Sequence, residues 1–310
     1  MNTFGILMSQ MEQMVIYVLL GVLLVRTKVW NHDKLGVLAA FVLKLALPMM
    51  IFVNIVNGVT REILMESLPV VYSTVIFYVL IFIVALGTAK LLGLQGDKAK
   101  VYRAMCMFGN VGFMGTPIVT SIFPENGMVY ISIYMIVDAL VLWTVGAQLT
   151  SSDGKGTFQL KKMVNSVTVA VVLAVLMVLL GLSLPDVMNT AFQKTGATAT
   201  PLAMIYLGGL FACIDIRCYL KKWELYGIVL VKMCLVPVAF YLLLGLLSVS
   251  GEIRLTMALI TGMPSMSALV MMAKSSGTEG DYAMGGVFVT TLCSLVTLPA
   301  VCWFLQNIQK

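Results

Sequence analysis

The chain has 310 residues, 60% of them hydrophobic and only 11% charged, with a mean hydropathy of +0.99. A soluble domain is roughly 45–50% apolar and about 25% charged, so a soluble globular protein is excluded and an all-α integral membrane protein is indicated. The net charge of +6 does not point to nucleic acid, because the 20 Lys and Arg form no run interleaved with aromatics.

Apolar stretches of about 20 residues predict ten spans. They lie near 8–25, 35–57, 69–92, 104–123, 128–149, 164–184, 196–214, 225–247, 255–273 and 282–305. The first lacks a basic leading region and a small-residue cleavage site, so it reads as a retained helix and not a cleaved signal. The loop after it carries His32, the single histidine. Span 2 holds Lys44, Pro48 and Asn54. Lys44 is a candidate for attracting an anion, against the favoured reading of a long side chain that snorkels or pairs structurally. Pro48 is a hinge or a simple kink.

Span 4 contains FGNVGFMGTP, residues 108–117. In a helix each glycine costs about 1 kcal/mol against alanine and a proline about 3. In hydrocarbon, freed backbone groups cost several kcal/mol more unless they face protein or a water-filled cavity. Such a broken span is tolerable where it lines something. Half-helix termini and unpaired N–H groups make a seat for an anion, and the Asn110 amide adds two donors and an acceptor. The competing reading of Gly109, Gly112 and Gly115 is close helix packing.

Span 5 carries Asp138 in ISIYMIVDALVLW. A charge at that depth costs about 2.5–3.5 kcal/mol, which makes it a candidate for binding a coupling H+ or Na+, or for a structural hydrogen bond. The linker SSDGKGTFQLKKM (151–163) then divides the chain into a first half at 1–150 and a second at 164–310. Span 7 holds Pro201, again a hinge or a kink, and span 8 holds Lys232, with the same two readings as Lys44. Span 9 is interrupted by TGMPSMS, 261–267, where Gly262, Met263, Pro264 and Ser265 are candidate binding residues.

Loop charges set the orientation. The loops after spans 1, 3, 5, 7 and 9 carry fourteen Lys and Arg, and the opposite side carries four (Arg61, Lys194, Arg254 and Lys310). The positive-inside rule places both termini outside and makes the two five-helix halves inverted relative to each other, the sign of a secondary transporter. An offset of 153 carries Pro48 onto Pro201 and Gly109 onto Gly262. The six cysteines form no CxxC pair and the 23 methionines are scattered. Disulfides, metal sites and cofactors are therefore not expected, and neither is an enzyme, since no HExxH or GxSxG constellation is present.

These motifs resemble the auxin efflux carrier family. The likeness rests on LALPMMIF in span 2, the GN-x-G-F-x-G-x-P run of span 4, PLA-x-x-x-x-G in span 7, and the stretch from MPSMSALVMMAK through LVTLP (263–299). The resemblance implies two inverted five-helix repeats. Spans 1, 2, 6 and 7 would form a scaffold, the candidate surface for a homodimer, whose existence the sequence leaves open. Spans 3–5 and 8–10 would form a moving transport unit whose broken helices 4 and 9 cross at the substrate.

Asn110 then matches the asparagine near the substrate carboxylate, with Gly109, Val111 and Gly112 beside it. Pro264 matches the crossover proline of span 9, Gly115 and Pro117 join Pro48 and Pro201 as hinges, and Asn54 is a scaffold-side contact. Gly109 departs from the proline of plant members. The short linker is like that of the bacterial branch, whose substrates are malate- or malonate-like acids. The expected function is alternating-access transport of small organic anions across the cytoplasmic membrane. A cation/proton antiporter of similar fold and a membrane sensor of organic acids are the alternatives.

Overall fold

A computed structural model describes residues 3–62, 68–152, 166–213 and 215–308. Apart from one isolated backbone bridge, the regular secondary structure among the described residues is helical. Seven helices among them are long and apolar enough to cross a membrane. They are α1 (Phe4–Arg26), α2 (Lys34–Gly58), α3 (Leu68–Leu91), α6 (Gly127–Leu149), α8 (Asp186–Ala212), α9 (Trp223–Leu246) and α12 (Gly280–Ile308).

The other three expected spans differ in form. Span 4 is two helices, α4 (Gly96–Met107) and α5 (Val111–Ile122). Span 6 is the 15-residue α7 (Ser166–Leu180). Span 9 is α10 (Gly251–Thr261) followed by α11 (Ala268–Ser275). His32, expected in a loop, instead opens a helix capped by Asn31, whose side chain accepts from the Lys34 N–H. Most of the 151–163 linker lies outside the described residues.

Three prolines shape their helices in one way. A proline cannot donate to the carbonyl four residues back, and its ring collides with that carbonyl. Ahead of Pro48, Pro117 and Pro237 the helix widens into π-turns at Val42–Ala46, Val111–Gly115 and Val229–Leu235. In each case the carbonyl four residues back (of Lys44, Phe113 or Met233) falls inside the widened turn, which is the local adjustment that lets a membrane helix keep a proline. Pro201 acts differently. The run Asp186–Ala212 has a joint at Thr198, next to the Ala197 carbonyl that Pro201 cannot pair with.

The chain forms two compact units. The first comprises Met1–Leu68, Gly112–Ile136 and Val164–Asp215. Within it, α1 and the C-terminal half of α8 approach at backbone distance. A Cβ on Gly208 would fall on the Val18 carbonyl, and one on Gly21 would fall on the Ile205 carbonyl. Small residues permit this approach where there is no hydrophobic drive to pull helices together in lipid. Gly196 likewise fits against the Met50 backbone, Phe52 stands edge-on to Phe192 at 6.0 Å, and Asn57 donates to Asn189 at 2.8 Å, joining α2 to α8.

Gly208→Val should therefore be severely destabilising, at or above the upper end of the 1–3 kcal/mol typical of overpacking. Gly87 on α3 has open space around it. Thermal unfolding in detergent should show a large fall in Tm for Gly208→Val and almost none for Gly87→Val.

The second unit comprises Pro69–Val111, Val137–Met163 and Ile216–Lys310. Here Phe77 of α3 meets Phe240 of α9 at 5.7 Å, and α12 brings Gly286 against the Met105 sulfur of α4. Many residues of α3, including Val79, Ile83 and Leu86, are exposed apolar side chains, as expected of a helix face that meets lipid.

Candidate functional site

Both helix breaks adjoin backbone that would be orphaned in hydrocarbon. α4 ends at Met107, Phe108 turns extended, and helix resumes at Val111. α10 ends at Thr261, capped by Gly262, and α11 begins after Ser267. The breaks solve each other's deficit. Gly109 and Ser265 form an antiparallel bridge. The Asn110 N–H donates to the Pro264 carbonyl at 2.8 Å and the Met266 N–H to the Phe108 carbonyl at 3.1 Å. Gly109 fits because its missing Cβ would lie 3.2 Å from that of Met263, and Gly262 because its own would lie 3.1 Å from the Pro237 ring.

Side chains complete the pairing. Ser265 Oγ donates to the Met105 carbonyl at 3.0 Å, while the Ser265 N–H donates to Thr290 Oγ1 at 3.1 Å. Lys232 Nζ donates to the Met105 carbonyl at 3.0 Å and the Phe108 carbonyl at 2.8 Å. Lys232 is 1% exposed. An ammonium at the C-terminal end of α4 satisfies orphan carbonyls and complements the helix dipole. Lys232 is thus bonded to backbone of another helix.

Asn110 is also 1% exposed, and its side-chain nitrogen meets no hydrogen-bond partner among the described residues. An unmet buried donor costs about 1–3 kcal/mol. Its donors are thus left open at this break among the described residues.

Asp138 is 6% exposed and accepts a hydrogen bond from the Tyr78 hydroxyl. The Tyr78 ring packs on Phe108 at 5.8 Å, and Asp138 lies within Coulombic reach of Lys232. The second unit thus gathers Gly109, Asn110, Val111, Gly262, Met263, Pro264, Ser265, Asp138 and Lys232. The remaining sequence candidates belong to the first unit. Among them, Gly112 leaves room for a Cβ, which would lie at ordinary van der Waals distance from the side chains of Met135 and Leu47. Gly115 is buried and Pro117 opens the α-helical part of α5. Asn54 is half-buried on α2, whereas Lys44 is exposed and makes no ion pair among the described residues.

Sequence reasoning missed Tyr78 and Thr290 as partners of the site. Both are polar groups inside apolar spans, which is a signal, yet Tyr78 stands 60 residues from Asp138 and no spacing connects them.

A family model described as "Membrane transport protein" matches residues 6–302. The chain belongs to this family, that of the auxin efflux carriers. Its relatives include the uncharacterized transporter MJ1031 of Methanocaldococcus jannaschii, 23% identical with 89% of this chain and 91% of the relative covered. An uncharacterized transporter of Methanothermobacter thermautotrophicus is 25% identical over 92% of this chain and 93% of its own length. The uncharacterized transporter YfdV of Escherichia coli is 23% identical with the same coverage. This auxin efflux carrier family member is an integral membrane transporter and not an enzyme.

Proposed function

We propose that the protein is a secondary carrier for small organic anions, malate- or malonate-like carboxylates, working by alternating access in the cytoplasmic membrane. In this reading the chain crosses the membrane ten times as two inverted five-helix repeats, with both termini outside. The substrate carboxylate is received at the paired breaks of spans 4 and 9, and Asn110, Pro264 and Ser265 carry the site.

The observation that carries the reading is the buried Asn110 amide without a partner, set where two interrupted helices pair. A carboxylate is acceptor-only when ionised, so it matches a donor left unmet, and a charge-assisted hydrogen bond is about twice as strong as a neutral one. The half-helix terminus beginning at Val111 adds partial positive charge beside it.

The test is counterflow in proteoliposomes loaded with unlabelled malate, following entry of labelled malate. Competition by a subset of mono- and dicarboxylates, with no effect of matched cations, is the expected result. If malate is silent, malonate and a 2-oxo acid are loaded next. Silence across the panel from folded protein would defeat the organic-anion reading.

A further inference from the structure

The two carbonyls that Lys232 holds are the ones that the second break also uses. Met105 O accepts from Lys232 Nζ and from Ser265 Oγ, and Phe108 O accepts from Lys232 Nζ and from the Met266 N–H. An ammonium has three donors and no acceptor. It can therefore bridge two carbonyls at once, which a hydroxyl cannot. Lys232 sits in the π-turn Val229–Leu235 of α9, more than 120 residues from either carbonyl's owner, so this link ties a third helix to the junction of the other two.

We propose that Lys232 is the positioning residue of the anion site. Its ammonium clamps the carbonyls of Met105 and Phe108, holds the Gly109–Ser265 bridge in register, and so fixes Asn110 two residues beyond Phe108. The inference rests on the carrier reading for what Asn110 binds, but the clamp itself does not depend on the substrate.

The charged and titratable groups within Coulombic reach of Lys232 are Asp138 from α6, itself held by Tyr78 from α3, and Cys106 from α4. A competing role follows from that list: Lys232 as a mere counter-ion, present to neutralise Asp138. Removing both buried charges at once, so that neither is left uncompensated, separates the two roles.

The test uses the full-length protein with Lys232→Met and Lys232→Met/Asp138→Asn, read in two ways. Hydrogen exchange needs no substrate. Peptides covering 105–112 and 262–268 should exchange at least about tenfold faster in both variants, with α3 and the far half of α12 unchanged. In malate counterflow, the double variant should show KM raised about tenfold or more. If the double variant regains parental protection and KM, Lys232 is only a counter-ion and the proposal is overturned.

Ser265→Ala keeps Lys232 in place and serves should the lysine variants not fold. Protection of 105–112 should stay within about twofold of the parent, and loosening as great as tenfold would show that the serine and not the lysine is the clamp. If the parent transports none of the acids, the carrier reading fails while the exchange arm still decides the clamp.

Discussion

Asn110→Ala is expected to lower exchange of labelled malate by about 10- to 100-fold while leaving the protein as stable as its parent. The first half follows from the hydrogen bond lost to a charged ligand, which is worth about 1.5–3 kcal/mol. The second half follows from the state of the amide in the structure. Its nitrogen has no partner among the described residues, so truncation breaks no side-chain donor bond, and the main-chain link to Pro264 is kept. The loss of buried volume and the relief of an unmet donor oppose each other at similar size. Counterflow and thermal unfolding of the same preparation check the prediction. A fall in Tm that parallels the loss of exchange would make the amide a structural group and remove it from the site. Asn110→Asp is a sharper control. It keeps the size but replaces donors by a negative charge, so exchange should drop further than with alanine.

The second large effect is electrical. Asp138 and Lys232 are buried in the same unit with opposite formal charges, so together they add no net charge to whatever moves. On the proposed carrier reading, and with no ion moving alongside, the charge translocated is that of the substrate. At 100 mV, negative inside, each elementary charge is worth about 2.3 kcal/mol. A dianion accordingly gains about 4.6 kcal/mol on leaving, and since about 1.4 kcal/mol is tenfold, its distribution should shift by roughly three orders of magnitude. Imposing a potassium diffusion potential across proteoliposomes and measuring the inside-to-outside ratio of malate gives the answer. Export that vanishes when the potential is collapsed is expected. Accumulation against the potential, driven by a pH or Na+ gradient, would show instead that an ion moves with the anion, with Asp138 its first candidate carrier.

What the sequence made legible is what depends on neighbours along the chain. Runs such as LPVVYSTVIFYVLIFIVALG reveal a span because hydrophobicity is local, and FGNVGFMGTP and TGMPSMS reveal breaks because glycine and proline act on their own turn. The expected seventh span began near 196, whereas the helix starts at Asp186, because DVMNTAFQKTGA is too polar for a hydropathy scan. Which carbonyls Lys232 meets, and the bond from Tyr78 to Asp138, were not readable. Each joins residues that meet only when separate helices pack, and a buried lysine reads the same in sequence whether it faces a ligand or a carbonyl. The same holds for Gly21 and Gly208, whose importance lies in a backbone on another helix.

The widened turns ahead of Pro48, Pro117 and Pro237 also set a phase. An α-helix turns about 100° per residue, since 3.6 residues complete a turn. A turn that closes on the fifth residue instead of the fourth accommodates one extra residue, so every side chain beyond it faces about a quarter-circle away from where uninterrupted helical counting would put it. Asn54 lies six residues past Pro48, and its heading is set by that slip as much as by its place in the sequence. In these helices, inserting or deleting a single residue on the near side of the proline would reorient the far side as a block, like a misthreaded screw.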